Sequence, residues 1–423
     1  MTSDQVAPVT RAGTPKDQET FSNLLSTLLS QCSYSPELQR DYFSFFTTYI
    51  LPHLQVFPNW SSNLTHNGSP FEPSRNIQDG QSMLRFCFEP IAPISGAPAD
   101  PFSQALSFTL AEQFGKMEAF GGFDTELWEH FTKELYVWEK ADIDKVMGIK
   151  SVRTLRSCLF AFDLNKKKYG LMLKAYINCF RKAHILETSP AVILFDSIRR
   201  LPGREDEKLA LDKLEAFLMP RDGGFEGIRD MAAGNITEVK GLNVVMTSFD
   251  LLHPLRARIK IYARSYDLDF ANFRDVYTLG GQIHVEEQEM NVFKEFYSAI
   301  FNLPKTWDGV AEHVKRLDTR HAGVLWQFEL MHGKLTPEVK LYISFWNFVP
   351  NDAEAARRLK RFFDSQSWDI SDSYSELIGQ LFNGVGDIEK EAGRHSYVSF
   401  SYTKERGPYL TLYYAPKLER EQK

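Results

Sequence analysis

The sequence has few of the features that mark secreted, membrane-spanning or metal-binding proteins. Its 423 residues include only four cysteines, and no two of them form a Cys-x-x-Cys pair, so neither a thiolate zinc site nor a disulfide-rich scaffold is indicated. No apolar run approaches the roughly 20 residues of a transmembrane helix. The first 20 residues are polar and lack the pattern of a secretory signal. We therefore expect a cytoplasmic protein with reduced cysteines and no membrane partner.

Motifs for several common kinds of catalysis are also missing. The sequence contains no His-Glu-x-x-His pair for zinc, no Asp-Asp-x-x-Asp cluster for a magnesium-bound diphosphate and no Gly-x-Ser-x-Gly nucleophile elbow. The net charge of -6 provides no basic surface for nucleic acid. We therefore expect no metal and no nucleic acid, and small molecules as the binding partners.

One β-prone run does stand out, at residues 256–263. Because successive side chains of a strand point to opposite faces, Arg256, Arg258, Lys260 and Tyr262 share one face. Two cations two positions apart lie about 7 Å from each other and repel by about 2 kcal/mol at an effective dielectric of about 20. A bound anion would relieve that repulsion. A solvated outer face of an edge strand would show the same pattern, so this strand alone leaves both interpretations open.

Four more segments repeat this polarity. They place Arg85, the pair Lys174 and Tyr176, the pair Lys340 and Tyr342, and the pair Tyr409 and Tyr413 opposite apolar residues. A solvent-exposed face would vary its polar residues freely, whereas these faces use cations and tyrosines. We therefore predict a closed antiparallel barrel with these groups inside and helices outside. Its lumen would suit an anion of several charges joined to an electron-poor apolar group, and an allylic diphosphate has both parts.

The order helix, hairpin, helix recurs along the chain, and five hairpins are predicted. Residues 1–20 are expected to form a flexible tail, and residues 21–423 a single barrel domain. The predicted helices are 36–54, 103–118, 124–137, 189–201, 206–217, 287–301, 352–364 and 373–382. Residues 152–164 are predicted to be extended up to a turn before the Lys174 strand.

Two glutamates are candidates for acid–base chemistry. Glu72 lies between Pro70 and Pro73, which restrict the backbone and would hold the carboxylate rigidly at a barrel wall. The alternative for Glu72 is an ordinary exposed loop residue. Glu89 is the rival acid, although a place on the surface at a strand end is the simpler interpretation, and its spacing from Arg85 also allows an ion pair.

With these residues in place, the chain resembles the fungal aromatic prenyltransferases of the dimethylallyl tryptophan synthase type. The segments that carry the resemblance are residues 69–76 with Glu72, 84–91 and 100–102 with Arg85, 174–176, 258–262 and 277–281. Several motifs occur in the right order over nearly the full length. The resemblance implies an α/β fold in which repeated αββα units form a barrel of ten antiparallel strands surrounded by helices.

The resemblance also implies roles for individual residues. The diphosphate would be bound by Arg85, Lys174, Arg258, Lys260 and Lys340, and the allyl cation would be shielded by Tyr176, Tyr262, Tyr342, Tyr397 and Tyr413. Glu72 and Lys174 would be the catalytic residues, with Glu72 accepting the indole N–H and helping to remove a proton. The basic residues would make a metal unnecessary. The family often has Gln where Lys340 stands, and the register of Tyr397, Lys404 and Arg406 in the last hairpin stays open.

The expected function is transfer of a dimethylallyl group from dimethylallyl diphosphate, the co-substrate, to an indole ring. The acceptor would be tryptophan or a tryptophan-containing cyclic dipeptide in fungal alkaloid biosynthesis. A phenolic acceptor, such as tyrosine or an aromatic polyketide, is the nearest alternative. A non-catalytic barrel that binds prenyl diphosphates is the alternative from another class. Monomer and homodimer both stay open.

Overall fold

A single closed barrel organises the chain. The computed structural model describes residues 15–54, 60–78, 81–153, 155–202, 208–304, 307, 323–382 and 387–418. The ten strands are β1 (Phe71–Gln78), β2 (Gln81–Phe88), β3 (Cys158–Leu164), β4 (Leu171–Asn178), β5 (Asn243–Asp250), β6 (Ile259–Ser265), β7 (Val324–Leu330), β8 (Glu338–Ile343), β9 (His395–Thr403) and β10 (Gly407–Tyr414). Each strand is antiparallel to both neighbours, and β1 pairs with β10 to close the sheet. The predicted barrel and its five hairpins are confirmed.

Helices cover the outside of the barrel. They are α1 (Pro15–Gln31), α2 (Pro36–Phe45), α3 (Ala105–Gly115), α4 (Glu126–Leu135), α5 (Lys140–Met147), α6 (Lys150–Arg153), α7 (Phe180–Leu186), α8 (Pro190–Arg199), α9 (Lys208–Leu218), α10 (Gly224–Ala233), α11 (Phe270–Tyr277), α12 (Glu287–Ile300), α13 (Asp352–Ser365) and α14 (Ile370–Leu381). Among the described residues, none of these helices has the length and apolarity to cross a membrane.

The hydrophobic core lies between the barrel wall and the helices. On β6, Ile259, Ile261 and Ala263 are fully buried on the outer face, whereas Lys260 and Tyr262 point inward. This alternation places apolar residues under the helices and polar ones in the lumen, as the period-two pattern predicts. The polar interior is therefore a direct consequence of the strand sequences.

Three local predictions need correction. Residues 15–20, predicted to belong to the flexible tail, form the first turns of α1, because Phe21, Leu24 and Leu28 pack that helix into the core; residues 1–14 lie outside the described part. Residues 150–153 are helical, and the strand predicted from residue 152 begins at Cys158. Arg256 is exposed in the turn before β6 and does not share the inward face of Lys260.

Candidate active site

A layer of four tyrosine rings divides the barrel interior. Tyr176, Tyr262, Tyr342 and Tyr413 come from β4, β6, β8 and β10, which are four of the five second strands of the hairpins; β2 supplies no tyrosine. Neighbouring ring centroids lie 5.9, 6.0 and 5.8 Å apart. Burial raises the pKa of all four hydroxyls well above the ordinary value, so they stay neutral. The layer separates two cavities of different chemistry.

The cavity nearer the hairpin turns is here called the cationic chamber. Its basic side chains are Arg85, Lys174, Arg258, Lys260 and Lys340, which are the five residues predicted to bind diphosphate. Three carboxylates, those of Asp163, Glu329 and Glu338, line the chamber with them, and a fourth, Asp250, forms ion pairs with Arg258 and Lys260. Positive charge therefore exceeds negative charge in the chamber, which favours an anionic ligand.

Asp163 on β3 holds two of the cations. Both of its oxygens lie 2.6 Å from the ammonium of Lys174, and the carboxylate is 2.8 Å from Nε of Arg85. Burial alone would raise the pKa of Asp163, but Arg85 and Lys174 lower it more, so the carboxylate stays ionised. Asp163 was not among the site residues predicted from the sequence. The signal was present, since Asp163 alternates with the apolar Phe162 and Leu164.

Asp250, at the end of β5, pairs with two further cations, Arg258 and Lys260. It lies 2.7 Å from Nε of Arg258 and 3.7 Å from the ammonium of Lys260. Glu329 on β7 is also 3.7 Å from Lys260. The neighbouring Lys260 and Arg258 overcome the effect of burial and lower the pKa of Asp250. Burial lowers the pKa of Arg258, but Asp250 and Glu329 raise it more. For Lys260, burial lowers the pKa and the same two carboxylates only oppose that fall. Both cations are oriented by these carboxylates before a ligand arrives.

Lys340 differs from the other four cations. Among the described residues no carboxylate forms an ion pair with it; its ammonium donates to Oγ1 of Thr411 over 2.9 Å and lies 4.6 Å from the ring centre of Tyr409. Burial, and then the charges of Arg85 and Lys260, lower its pKa well below the ordinary value. Lys340 is thus the cation that gains most from a nearby anion.

Glu72 lies on β1, on the other side of the tyrosine layer. It pairs with Cys87 of β2, is only 6% exposed and lines the second cavity, here called the Glu72 chamber. Ser396 donates a hydrogen bond to its Oε1 over 2.7 Å. Burial raises the pKa of Glu72 to about 7. The interpretation as an exposed loop glutamate is therefore wrong.

Glu89 has a structural role and is held by hydrogen bonds inside the fold. It is 2% exposed, and its carboxylate accepts hydrogen bonds from Nε1 of Trp60 and Oγ of Ser62, both at 2.7 Å, and from the backbone N–H of Asn63 at 3.2 Å. The surface position and the ion pair with Arg85 considered from the sequence are both wrong, since Arg85 pairs with Asp163 instead. Glu89 anchors the segment that precedes β1.

Two arginines in the Glu72 chamber were missed from the sequence. Arg264 continues the inward alternation of β6 two positions beyond Tyr262, so extending the pattern would have found it. Burial lowers the pKa of Arg264, but the neighbouring Tyr397 and Tyr266 raise it more. Arg156 lies in a loop before β3, where no alternation of polar and apolar residues marks the side chains that point inward.

The structure settles the last hairpin. Tyr409 pairs with Ser401, which places Tyr409 in the cationic chamber. Tyr397 lines the Glu72 chamber and is not part of the four-ring layer. Lys404 and Arg406 are exposed in the turn between β9 and β10, where Lys404 pairs with Glu286 at 3.6 Å.

Comparison with known proteins identifies the family. A protein-family model described as tryptophan dimethylallyltransferase matches residues 18–376. The chain belongs to this family. As a tryptophan dimethylallyltransferase family member it is a prenyl-transferring enzyme, so the predicted family and the prediction of a transferase are confirmed.

Curated relatives of this family member come from fungi. Echinulin prenyltransferase 1 of Aspergillus ruber is 27% identical over 401 residues, which cover 92% of this chain and 90% of the relative. The 7-dimethylallyltryptophan synthase of Aspergillus fumigatus is 26% identical over 415 residues, covering 92% of this chain and 82% of the relative. Deoxybrevianamide E synthase of Aspergillus versicolor is 26% identical over 411 residues, which cover 94% of this chain and 88% of the relative.

Solved structures share the fold of this dimethylallyltransferase. AnaPT from Neosartorya fischeri superposes with a TM-score of 0.78 at 21% identity, covering 95% of this chain and 94% of AnaPT. NotF, solved in complex with brevianamide F and DMSPP, gives a TM-score of 0.78 at 22% identity and covers 98% of each chain.

Proposed function

We propose that this enzyme transfers the dimethylallyl group of dimethylallyl diphosphate to the indole ring of tryptophan or of a tryptophan-containing cyclic dipeptide. One observation carries the proposal: a layer of neutral tyrosines separates a chamber rich in cations from a chamber that holds a buried glutamate. The family membership and the names of the fungal relatives support the same reaction class.

The cationic chamber would bind the diphosphate of the donor. Arg85, Lys174, Arg258, Lys260 and Lys340 would neutralise the charge that the leaving group gains when the allylic C–O bond breaks and both electrons stay with the diphosphate. Lys174 would contact the leaving group directly and is thus assigned as catalytic. Because these cations do the work that a divalent ion does elsewhere, we propose that no metal is needed.

The tyrosine layer would hold the allyl cation. The rings of Tyr176, Tyr262, Tyr342 and Tyr413 offer electron-rich faces, and their packing keeps water away from the cation. Tyr397 would extend this shielding on the acceptor side, where it lines the Glu72 chamber. The cation then meets the indole ring and not water.

Glu72 would serve the acceptor. Its carboxylate would accept the hydrogen bond of the indole N–H, which increases the electron density of the ring, while a ring atom forms a bond to the allyl cation. The proton displaced from that ring atom then passes to Glu72, which restores aromaticity. A pKa of about 7 suits this role, because a substantial fraction of the group is deprotonated at neutral pH while its conjugate acid still forms readily.

Mass spectrometry can test the reaction. The protein is incubated with dimethylallyl diphosphate and EDTA, together with tryptophan, tryptophan-containing cyclic dipeptides, tyrosine and a phenolic polyketide. We expect an indole product that is heavier by one dimethylallyl unit. A product from the phenols alone would overturn the acceptor assignment. Donor binding without any product would overturn the reaction.

A further inference from the structure

A hydroxyl group lies beside the proposed base. Ser396 is fully buried and donates its Oγ hydrogen to Oε1 of Glu72 over 2.7 Å. We propose that Ser396 is a positioning residue for Glu72, which fixes one carboxylate oxygen so that the other faces the aromatic acceptor. This inference rests on the proposed function, because it concerns the base of that reaction.

The backbone of β9 is irregular at this point. Leu412 of β10 pairs with Val398, whereas Tyr414 pairs with His395. Two steps along β10 therefore oppose three steps along β9, so β9 contains one extra residue between these pairs. This arrangement is a β-bulge, which locally changes the direction of side chains.

The bulge brings Ser396 to the lumen. In a regular strand, neighbouring residues point to opposite faces, so an inward Tyr397 would leave Ser396 on the outer face. In the structure Tyr397 lines the Glu72 chamber and Ser396 also reaches Glu72. Bulges near active sites often re-aim a side chain in this way. The extra residue thus has a direct consequence for the carboxylate.

A buried network on the helix side holds the bulge in place. Asp352, at the start of α13, accepts the backbone N–H of Arg394 at 2.9 Å and that of His395 at 2.8 Å. The ring of His395 lies with Nδ1 3.0 Å from the same carboxylate and Nε2 3.0 Å from the hydroxyl of Tyr374. Because these groups are almost fully buried, the backbone just before Ser396 has little freedom.

The hydrogen bond also affects the charge of the base. Burial raises the pKa of Glu72, and the bond from Ser396 opposes that rise because it stabilises the charged carboxylate. Loss of the hydroxyl should therefore raise the pKa of Glu72 further. The base must be deprotonated to act. As the pH is lowered, the rate of a variant without the Ser396 hydroxyl should therefore begin to fall at a higher pH than the rate of the wild type.

Steady-state kinetics of Ser396→Ala over pH 5–9 test the proposal. Loss of a hydrogen bond to a charged group corresponds to an upward shift of the acid limb of kcat by about one pH unit, and kcat at pH 7 should be lower by about 5-fold. The KM for dimethylallyl diphosphate should stay unchanged, because the cationic chamber lies beyond the tyrosine layer. Ser396→Thr keeps the hydroxyl and should restore the wild-type profile, while Ser396→Cys, a weaker donor, should be intermediate.

Ser399→Ala is the matched control. Ser399 lies on the same strand, is fully buried, and its Oγ has no hydrogen-bond partner among the described residues. This variant should keep the wild-type pH profile. A Ser396→Ala enzyme with wild-type kcat and acid limb, or with a change in stability alone, overturns the positioning role. A wild-type enzyme that prenylates no indole overturns the proposed function instead.

Discussion

At the scale of single residues, Glu72 and Glu89 show how environment decides the role of a carboxylate. Both are almost completely buried, and burial raises the pKa of each. Glu89 accepts three hydrogen bonds from the segment before β1 and lines neither chamber, so it is held in a structural role. Within the described part of the chain, Glu72 has one hydrogen-bond partner, Ser396, and it lines a cavity. Only Glu72 is placed to exchange a proton with an acceptor.

The exchange Glu72→Gln should nearly abolish prenylation while sparing donor binding. The amide cannot take up the proton, so we expect kcat to fall by about 10²–10⁴-fold, the usual contribution of a general base. Product formation by mass spectrometry and diphosphate affinity by calorimetry check the two parts. Normal turnover would remove Glu72 as the base.

The same substitution should stabilise the fold at neutral and higher pH. The pKa of Glu72 rises from an ordinary 4.5 to about 7 on folding. The folded wild-type protein therefore loses stability as the pH rises from 4.5 to 7, because Glu72 ionises less readily in the folded state than in the unfolded state. The free energy of unfolding of the variant should equal that of the wild type near pH 4.5 and exceed it by up to about 3 kcal/mol above pH 7. Melting temperatures at both pH values measure this. Equal stability at pH 8 would contradict the raised pKa.

At the scale of secondary structure elements, the two strands of each hairpin differ in what they contribute. The second strands, β2, β4, β6, β8 and β10, supply Arg85, the Lys-x-Tyr units and Tyr413. The first strands β3, β5 and β7 supply the carboxylates that pair with those cations. Antiparallel pairing brings the two kinds of strand side by side, so each of these cations except Lys340 has a carboxylate partner on a neighbouring strand.

Opening the tyrosine layer should divert the reaction to water. In Tyr262→Ala the lost ring leaves a gap between the two chambers, so we expect dimethylallyl alcohol to form at the expense of the prenylated indole. The ratio of alcohol to prenylated product, measured by chromatography, should rise several-fold. Tyr262→Phe keeps the ring and should keep the wild-type ratio. An unchanged ratio in the alanine variant would exclude a shielding role for this ring.

At the scale of the whole molecule, the barrel keeps an excess of positive charge in its interior although the protein as a whole carries a net charge of -6. Five basic side chains line a chamber that only a closed sheet can enclose, and the carboxylates of Asp163, Asp250 and Glu329 pair with four of them. Ligand binding should therefore relieve repulsion inside the barrel and stabilise the entire fold.

Inorganic diphosphate should raise the melting temperature by a few degrees. A ligand at 100 times its Kd stabilises the bound state by about 2.7 kcal/mol. In Lys174→Ala much of this shift should be lost, because the ammonium beside Asp163 and Arg85 is removed from the chamber. Lys116→Ala, which removes an exposed surface lysine just after α3, should keep the full shift. An undiminished shift in Lys174→Ala would refute its diphosphate contact.

The amino-acid sequence by itself determined the barrel and most of its lining. Alternation on β2, β4, β6, β8 and β10 shows which side chains share a face, because the period of two is a local property of a strand. Cations and tyrosines recur on that face, and this regularity predicted an interior for an anionic substrate. Extending the same rule would also have found Arg264 and Asp163.

Only the tertiary structure decided how these side chains meet. The partner of Arg85 is Asp163, although Glu89 lies closer in sequence, because the pairing of β2 with β3 sets the contact. Ser396 lies 324 residues from Glu72 along the chain and reaches it through a bulge that breaks the local alternation. Strand register and sheet closure depend on all ten strands together, so no local pattern contains them.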